Sequence, residues 1–201
     1  MKKARAELEA SEGQLASAQL SATRILELLR GMDLPLREAT GEQEKVVLAD
    51  VIRLTLQVLR GEFRTRAQIQ LDVQSVPCVL GCGSRLGQVV LNLLVNALQS
   101  FPLGSGPPRS AEGQPDNLVV VRLFSRATSV CLEVQDNGVP VSEASLTHLF
   151  DPLKLGSRQG SSNRLGLAIS KRIVEELGGR IEAERPAEGG TRLRLVLPAA
   201  M

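Results

Sequence analysis

The chain has 201 residues, with 24 Lys+Arg against 22 Asp+Glu and a formal net charge of +2. Because so small a surplus forms no clustered basic face, we expect no nucleic-acid partner. The longest apolar run is interrupted by Asn92 and is shorter than the roughly 20 residues of a membrane helix, so we expect a soluble, cytoplasmic protein with no membrane segment. Three cysteines without a neighbouring histidine favour reduced thiols over a disulfide or a zinc site.

The N-terminal residues 1–31 predict a helical arm. Apolar or small residues recur every seven positions, at Leu8, Leu15, Ala22 and Leu29, which is typical of a narrow amphipathic stripe. Such a stripe needs a partner, and both an arm packed in a helical bundle and an autonomous coiled coil stay open. We expect a homodimer through this helix. A glycine and a proline end the arm, and residues 32–45 are predicted as a linker.

Residues 46–201 predict an α+β domain. Helices are predicted at 48–59, 85–101, 142–150 and 165–177, and strands at 68–73, 78–80, 118–124, 130–134, 180–185 and 191–197. Glycine-rich or polar stretches at 102–116 and 151–164 are predicted as loops. The elements add up to a two-layer α/β sandwich, with helices on one face of a mixed, mostly antiparallel sheet.

The predicted helix 85–101 carries two asparagines, Asn92 and Asn96, on one face of an otherwise apolar surface. An unsatisfied buried amide costs about 1–3 kcal/mol, so each side chain needs a partner. The pair either bonds a neighbouring loop or lines a polar pocket. In a pocket, an amide oxygen is a suitable ligand for a hard cation such as Mg²⁺.

Two other segments combine glycine with polar residues. Asp136-Asn137-Gly138 follows a predicted strand, and this composition is ordinary turn chemistry. Arg164-Leu165-Gly166-Leu167 leads into a helix whose first N–H groups are able to receive a phosphate. Taken singly, each segment has a purely structural explanation.

In their order and spacing, however, the segments resemble the catalytic, ATP-binding domain of sensor histidine kinases. That domain belongs to the wider superfamily shared with gyrase and the ninety-kilodalton heat-shock chaperones, which has the Bergerat fold. The resemblance covers about residue 46 to the C-terminus. Its N box corresponds to Asn92 and Asn96, its G1 box to Asp136 and Gly138, its F box to Phe150 and Pro152, its G2 box to Leu165, Gly166 and Leu167, and its closing element to Gly189-Gly190-Thr191.

The resemblance implies a site for ATP and Mg²⁺. Asp136 would accept a hydrogen bond from the adenine amino group, with help from Thr191, and Asn96 would give an oxygen to Mg²⁺ beside Asn92. The segment 151–164 would cover the triphosphate as a lid. Catalysis in the family consists mostly of positioning the γ-phosphate for a histidine on a helical dimerisation domain. Expected partners are therefore a response regulator or an acceptor-helix domain.

The chain departs from the family pattern where phosphate would bind. Pro140 stands where the G1 box has its second glycine, which removes an N–H and fixes φ. Ser162 and Arg164 replace two of the three G2 glycines, which in the family allow the backbone to approach phosphate closely. We therefore expect impaired phosphate handling, although Arg164 could instead bind the γ-phosphate.

The phosphoacceptor expected for this family is also missing. The single histidine, His148, lies just before the F box and reads as a surface helix residue. The arm 1–31 resembles the second dimerisation helix, so the chain either starts partway through a longer kinase or has dispensed with the acceptor. The leading hypothesis is a histidine-kinase-like ATP-binding domain. The alternative is a nucleotide-independent pseudokinase that acts as a dimeric interaction module.

Overall fold

The computed structural model describes residues 43–101, 117–151 and 161–200, and for 161–164 only the backbone. The predicted arm 1–31 lies outside the described residues, as do most of the predicted linker 32–45 and most of the two predicted loops. No helix among these three ranges is long and apolar enough to cross a membrane.

A five-stranded sheet is the centre of the described domain. The strands are β1 (Glu44–Val46), β2 (Gln68–Val73), β3 (Val79–Gly81), β4 (Leu118–Arg126), β5 (Ser129–Asp136), β6 (Arg180–Glu184) and β7 (Arg192–Pro198). The main sheet has the order β2-β4-β5-β7-β6, in which β2 and β4 are parallel and the other pairs antiparallel. Strands β1 and β3 form a separate antiparallel pair. The predicted mixed, mostly antiparallel sheet is confirmed.

Four helices accompany the sheet: α1 (Leu48–Arg66), α2 (Gly83–Gln99), α3 (Glu143–Leu146) and α4 (Ser161–Glu176). Helix α2 packs between α1 and α4, and these three helices contact the sheet. Strand β4 shows why the layers form, because Val119, Val121 and Leu123 alternate with polar or half-buried residues and are fully buried. Burial of this alternating apolar set against the helices makes the core.

Several element boundaries differ from the sequence prediction, and the predicted helix 142–150 is wrong in length because only Glu143–Leu146 is helical. Helix α1 continues to Arg66 because Phe63, one turn beyond Leu59, is also buried and extends the apolar stripe. Helix α4 begins at Ser161, so the prediction that the loop 151–164 extends to residue 164 is wrong. Residues 161–164 are helical instead. Strand β1 lies partly within the predicted linker 32–45, because the short strand β3 pairs with it.

Candidate functional site

A polar stripe runs along helix α2. Asn92, Asn96 and Ser100, the C-cap residue, are spaced four positions apart and therefore lie on one side of the helix. All three are half-buried, whereas Leu94 on the opposite side is fully buried. The two ends of this stripe contact different parts of the domain, which we call the amide end, at Asn92, and the carboxylate end, at Ser100.

At the amide end, Asn92 joins helix α2 to helix α4. Its Nδ2 donates to the carbonyl oxygen of Gly166 at 2.8 Å and to Oγ of Ser170 at 3.0 Å. The Ser170 hydroxyl donates to the same carbonyl at 2.8 Å, and Ser170 is completely buried. The structure thus brings together two of the predicted site residues, Asn92 and Gly166, through a serine that the sequence analysis missed. No local pattern in the sequence marks this serine, because its contact with Asn92 joins two helices that are distant along the chain.

Gly166 lies inside helix α4, and its lack of a side chain makes room for Asn92. A Cβ built on Gly166 would lie 2.9 Å from Oδ1 and 3.1 Å from Cγ of Asn92. The contact itself explains this glycine. The two predicted site residues beside Gly166 differ in burial. Leu167 is fully buried in the core, and Leu165 is 55% exposed.

At the carboxylate end, Asp136 is the last residue of β5 and is only 2% exposed. It pairs with Val119 of β4, on the helix-facing side of the sheet. Its Oδ1 accepts a hydrogen bond from the backbone N–H of Gly138 at 2.9 Å. Burial raises the pKa of the Asp136 carboxyl above its usual range, and the Ser100 hydroxyl together with the backbone of Gly138 and Thr191 partly offsets that rise.

The turn after β5 packs directly on the end of helix α2. The N–H of Val139 donates to the carbonyl of Ser100 at 3.0 Å. A Cβ on Gly138 would overlap the Ser100 hydroxyl and lie 2.8 Å from the Ser100 carbonyl oxygen. Asn137 pins the other side of the turn, because its Oδ1 accepts from the Leu118 N–H at 2.7 Å. The segment is therefore a real turn, and it also places Asp136 beside Ser100.

Ser100 did not emerge from the sequence analysis. Its spacing of four from Asn96 repeats that of the two asparagines, and that repeat was the signal that could have identified it.

Thr191 lies next to Asp136 at the start of β7. Its carbonyl accepts from the Asp136 N–H at 3.0 Å, and its Oγ1 accepts from the Val141 N–H at 3.4 Å. The side chain is buried, with 2% exposed. Thr191 thus contacts Asp136 through its backbone, while its hydroxyl oxygen accepts from the loop that follows β5. A role for Thr191 in binding stays a prediction.

The described ranges contain no group of three or more His, Cys, Asp or Glu residues that could hold a metal ion. A cation here would bind amide oxygens, with ligand phosphates and water completing its shell, as Mg²⁺ commonly does. Asn92 and Asn96 are the side chains of the stripe that offer such oxygens. Of the predicted F box, Phe150 is half-buried, whereas Pro152 and most of the predicted lid lie outside the described residues.

Residues 81–201 match the family model of histidine kinase-, DNA gyrase B-, and HSP90-like ATPases. The chain belongs to this family. It thus contains a histidine-kinase-like ATP-binding domain, of the kind found in two-component sensor kinases. Both predicted ends of the site lie within the matched range.

Curated relatives of this ATPase domain are sensor proteins. The C4-dicarboxylate transport sensor protein DctB of Pseudomonas aeruginosa is 29% identical over 94% of this chain and 30% of its own length. DctB of Rhizobium meliloti is 35% identical over 72% of this chain and 22% of its own length. The chain therefore spans less than a third of either relative.

Solved structures agree on the fold. The mycobacterial sensor histidine kinase MprB matches with a TM-score of 0.60 and 30% identity, over 78% of this chain and 97% of that structure. The catalytic domain of histidine kinase ThkA matches with a TM-score of 0.65 and 22% identity, over 79% and 96% respectively. These likenesses confirm the predicted two-layer α/β sandwich.

Proposed function

We propose that this domain binds ATP with Mg²⁺ and acts as the catalytic domain of a two-component sensor kinase. The observation that carries the proposal is the buried carboxylate of Asp136. Within the described part of the chain it forms no ion pair, and burial raises its pKa. A carboxylate kept in so costly a place needs a function, and a ligand amino group would add a donor to those that the protein supplies.

The proposed ligand lies along the polar stripe of α2. The adenine amino group would donate to Asp136, with Thr191 and Gly138 beside it. Asn96, with Asn92 as neighbour, would hold Mg²⁺ through amide oxygens, and Leu165, Gly166 and Leu167 would line the phosphate end. Mg²⁺ bound there would neutralise charge on the phosphates, and the chain's own contribution would be to position them.

The wider role is proposed from the sensor relatives. We place the phosphoacceptor histidine on a helical dimerisation domain, and the arm 1–31 would form a homodimer as its second helix. A response regulator would then receive the phosphoryl group. We place the domain in the cytoplasm because ATP is available there.

Impaired phosphate handling is part of the proposal. Pro140 removes an N–H next to the carboxylate end, and positions 162 and 164 lie in the first turn of α4 with no glycine at either. These same features favour the alternative function, a pseudokinase that binds no nucleotide and acts through its dimer.

Calorimetric titration of Mg-ATP and Mg-ADP into the purified chain separates the two functions. A thermal shift assay supports it, because a ligand at 100 times its dissociation constant adds about 2.7 kcal/mol of stability. We expect micromolar binding. No heat and no shift at millimolar nucleotide would establish the pseudokinase. The chain has no Trp and no Tyr, so a fluorescence assay needs a labelled nucleotide.

A second experiment tests the impairment directly. Replacing Pro140, Ser162 and Arg164 by glycine should tighten ATP binding if these residues alone weaken the phosphate site. No gain from the triple variant would contradict the assignment of the impairment to these three residues and would favour a pocket that is closed for other reasons. An assay with a supplied acceptor helix should label that helix and leave His148 unlabelled, and acid-labile phosphate on His148 would contradict this assignment.

A further inference from the structure

We infer that Ser170 is a positioning residue, which together with the Gly166 carbonyl occupies both N–H groups of the Asn92 amide, so that its oxygen, and not its nitrogen, is presented to a bound Mg-nucleotide. The inference rests on the proposed function, because it concerns the same site. It adds a residue that lies one turn beyond the G2 box.

The hydrogen-bond partners determine which way the Asn92 amide faces. A backbone carbonyl only accepts, so the Asn92 atom 2.8 Å from the Gly166 oxygen must be the nitrogen. The reversed amide would place two oxygens against each other. The chemistry of the partner therefore determines which atom of the amide is the nitrogen.

Ser170 completes the arrangement by using the second N–H of the amide. Its own proton goes to the Gly166 carbonyl, which leaves an Oγ lone pair for Asn92 Nδ2 at 3.0 Å. Each of the three groups thus bonds the other two. Ser170 is 0% exposed, so its hydroxyl makes these bonds out of contact with water.

One polar function of Asn92 is then left, the acceptor Oδ1. This oxygen lies against Gly166, 2.9 Å from the position of a Cβ built on that glycine, and so at the G2 box. An acceptor attracts a cation and repels a phosphate oxygen. Without Ser170, one N–H of Asn92 would be released and able to turn to a phosphate directly. The serine thereby makes binding at this end depend on Mg²⁺.

The test compares nucleotide affinity with and without the ion. The dissociation constant of ADP is measured by calorimetry in Mg²⁺ and in EDTA, for the full chain, Ser170→Ala and the conservative Ser170→Thr. In Ser170→Ala we expect the increase in ADP affinity that Mg²⁺ provides to fall about tenfold. This is the lower end of the range for removing a side chain that hydrogen-bonds a metal ligand. Ser170→Thr should restore most of it. A purely structural role would weaken binding equally in both buffers, and that result would overturn the inference.

A second readout needs no nucleotide. In ¹⁵N NMR of the ligand-free protein, both protons of the Asn92 side-chain amide should exchange slowly with solvent, and Ser170→Ala should abolish the protection of one of them. Unprotected protons in the unsubstituted chain would overturn the assigned orientation. If that chain bound no nucleotide, the proposed function would fail, and the orientation of Asn92 would be decided by NMR alone.

Discussion

The two ends of the polar stripe on α2 each depend on a glycine, but the two glycines face different neighbours. Gly138 packs on the Ser100 hydroxyl and backbone carbonyl, at a capped helix end that cannot move aside. Gly166 packs on the end of the Asn92 side chain, which is able to rotate. The carboxylate end is therefore rigid and the amide end adjustable, because backbone contacts fix the first and a side-chain network fixes the second.

The largest expected effect comes from Gly138→Ala at the rigid end. The new Cβ would overlap Ser100, and we expect a loss of about 3 kcal/mol, the upper range for overpacking. Urea unfolding measures it. The matched control is Gly61→Ala in helix α1, where nothing lies within 4 Å and a gain of up to about 1 kcal/mol is expected. Equal effects at the two glycines would remove the distinction between packed and open positions.

Asp136→Asn tests the carboxylate directly. Loss of a charge-assisted hydrogen bond should weaken ADP binding by about 1.5–3 kcal/mol, or roughly 10- to 150-fold in affinity. The ligand-free protein should unfold at the same or a higher temperature at neutral pH, because the buried charge is gone. Calorimetry measures the ADP affinity, and thermal unfolding measures the stability of the ligand-free protein. An affinity that did not change would show that Asp136 plays no part in binding.

The pH dependence of stability follows from the same carboxyl group. Its pKa is raised in the folded state, so the folded state holds the proton more strongly than the unfolded chain does. The stability that this proton contributes is fully present below the unfolded pKa of about 3.9 and is lost as pH rises through the folded pKa. The advantage of Asp136→Asn should therefore appear across that window and persist at neutral pH. A stability difference independent of pH from 3 to 8 would contradict this account.

Arg66 offers a way to loosen the rigid end alone. Its guanidinium donates to the Leu98 carbonyl at 2.8 Å, in the last turn of α2, which has no basic residue of its own. Arg66→Gln should cost about 1–2 kcal/mol through the lost contact with the helix end. It should weaken ADP binding equally in Mg²⁺ and in EDTA. A selective loss of the Mg²⁺-dependent part would mean that the two ends are not separate.

Gly166→Ala should have the smallest effect on stability. Alanine favours the helix by up to about 1 kcal/mol, while the displaced Asn92 loses hydrogen bonds of similar value, so a net change within about 1 kcal/mol is expected. The NMR protection of the Asn92 amide should nevertheless be lost. A destabilisation as large as that of Gly138→Ala would show that the amide end is rigid as well.

Sequence reasoning recovered the fold and most elements because periodic apolar patterns determine burial, as in β4. It also selected Asn92, because a buried amide requires a partner, and it selected Asp136 and Gly166 through the resemblance of the ordered segments to the kinase family. It could not find Ser170 or pair Asn92 with Gly166, because a hydrogen bond between distant helices leaves no local pattern. The start of α4 was misplaced for the opposite reason, since polar residues without periodicity resemble a loop.

Both ends of the site lie on one continuous helix, and this sets their separation without help from any ligand. Asn92 and Ser100 are eight positions apart, or about 12 Å along the axis of α2 at 1.5 Å per residue. Inserting one residue between them would lengthen the spacing only slightly but would turn one end by about 100° relative to the other. The helix therefore acts as a fixed spacer, and length changes within this stretch would be tolerated far less than substitutions.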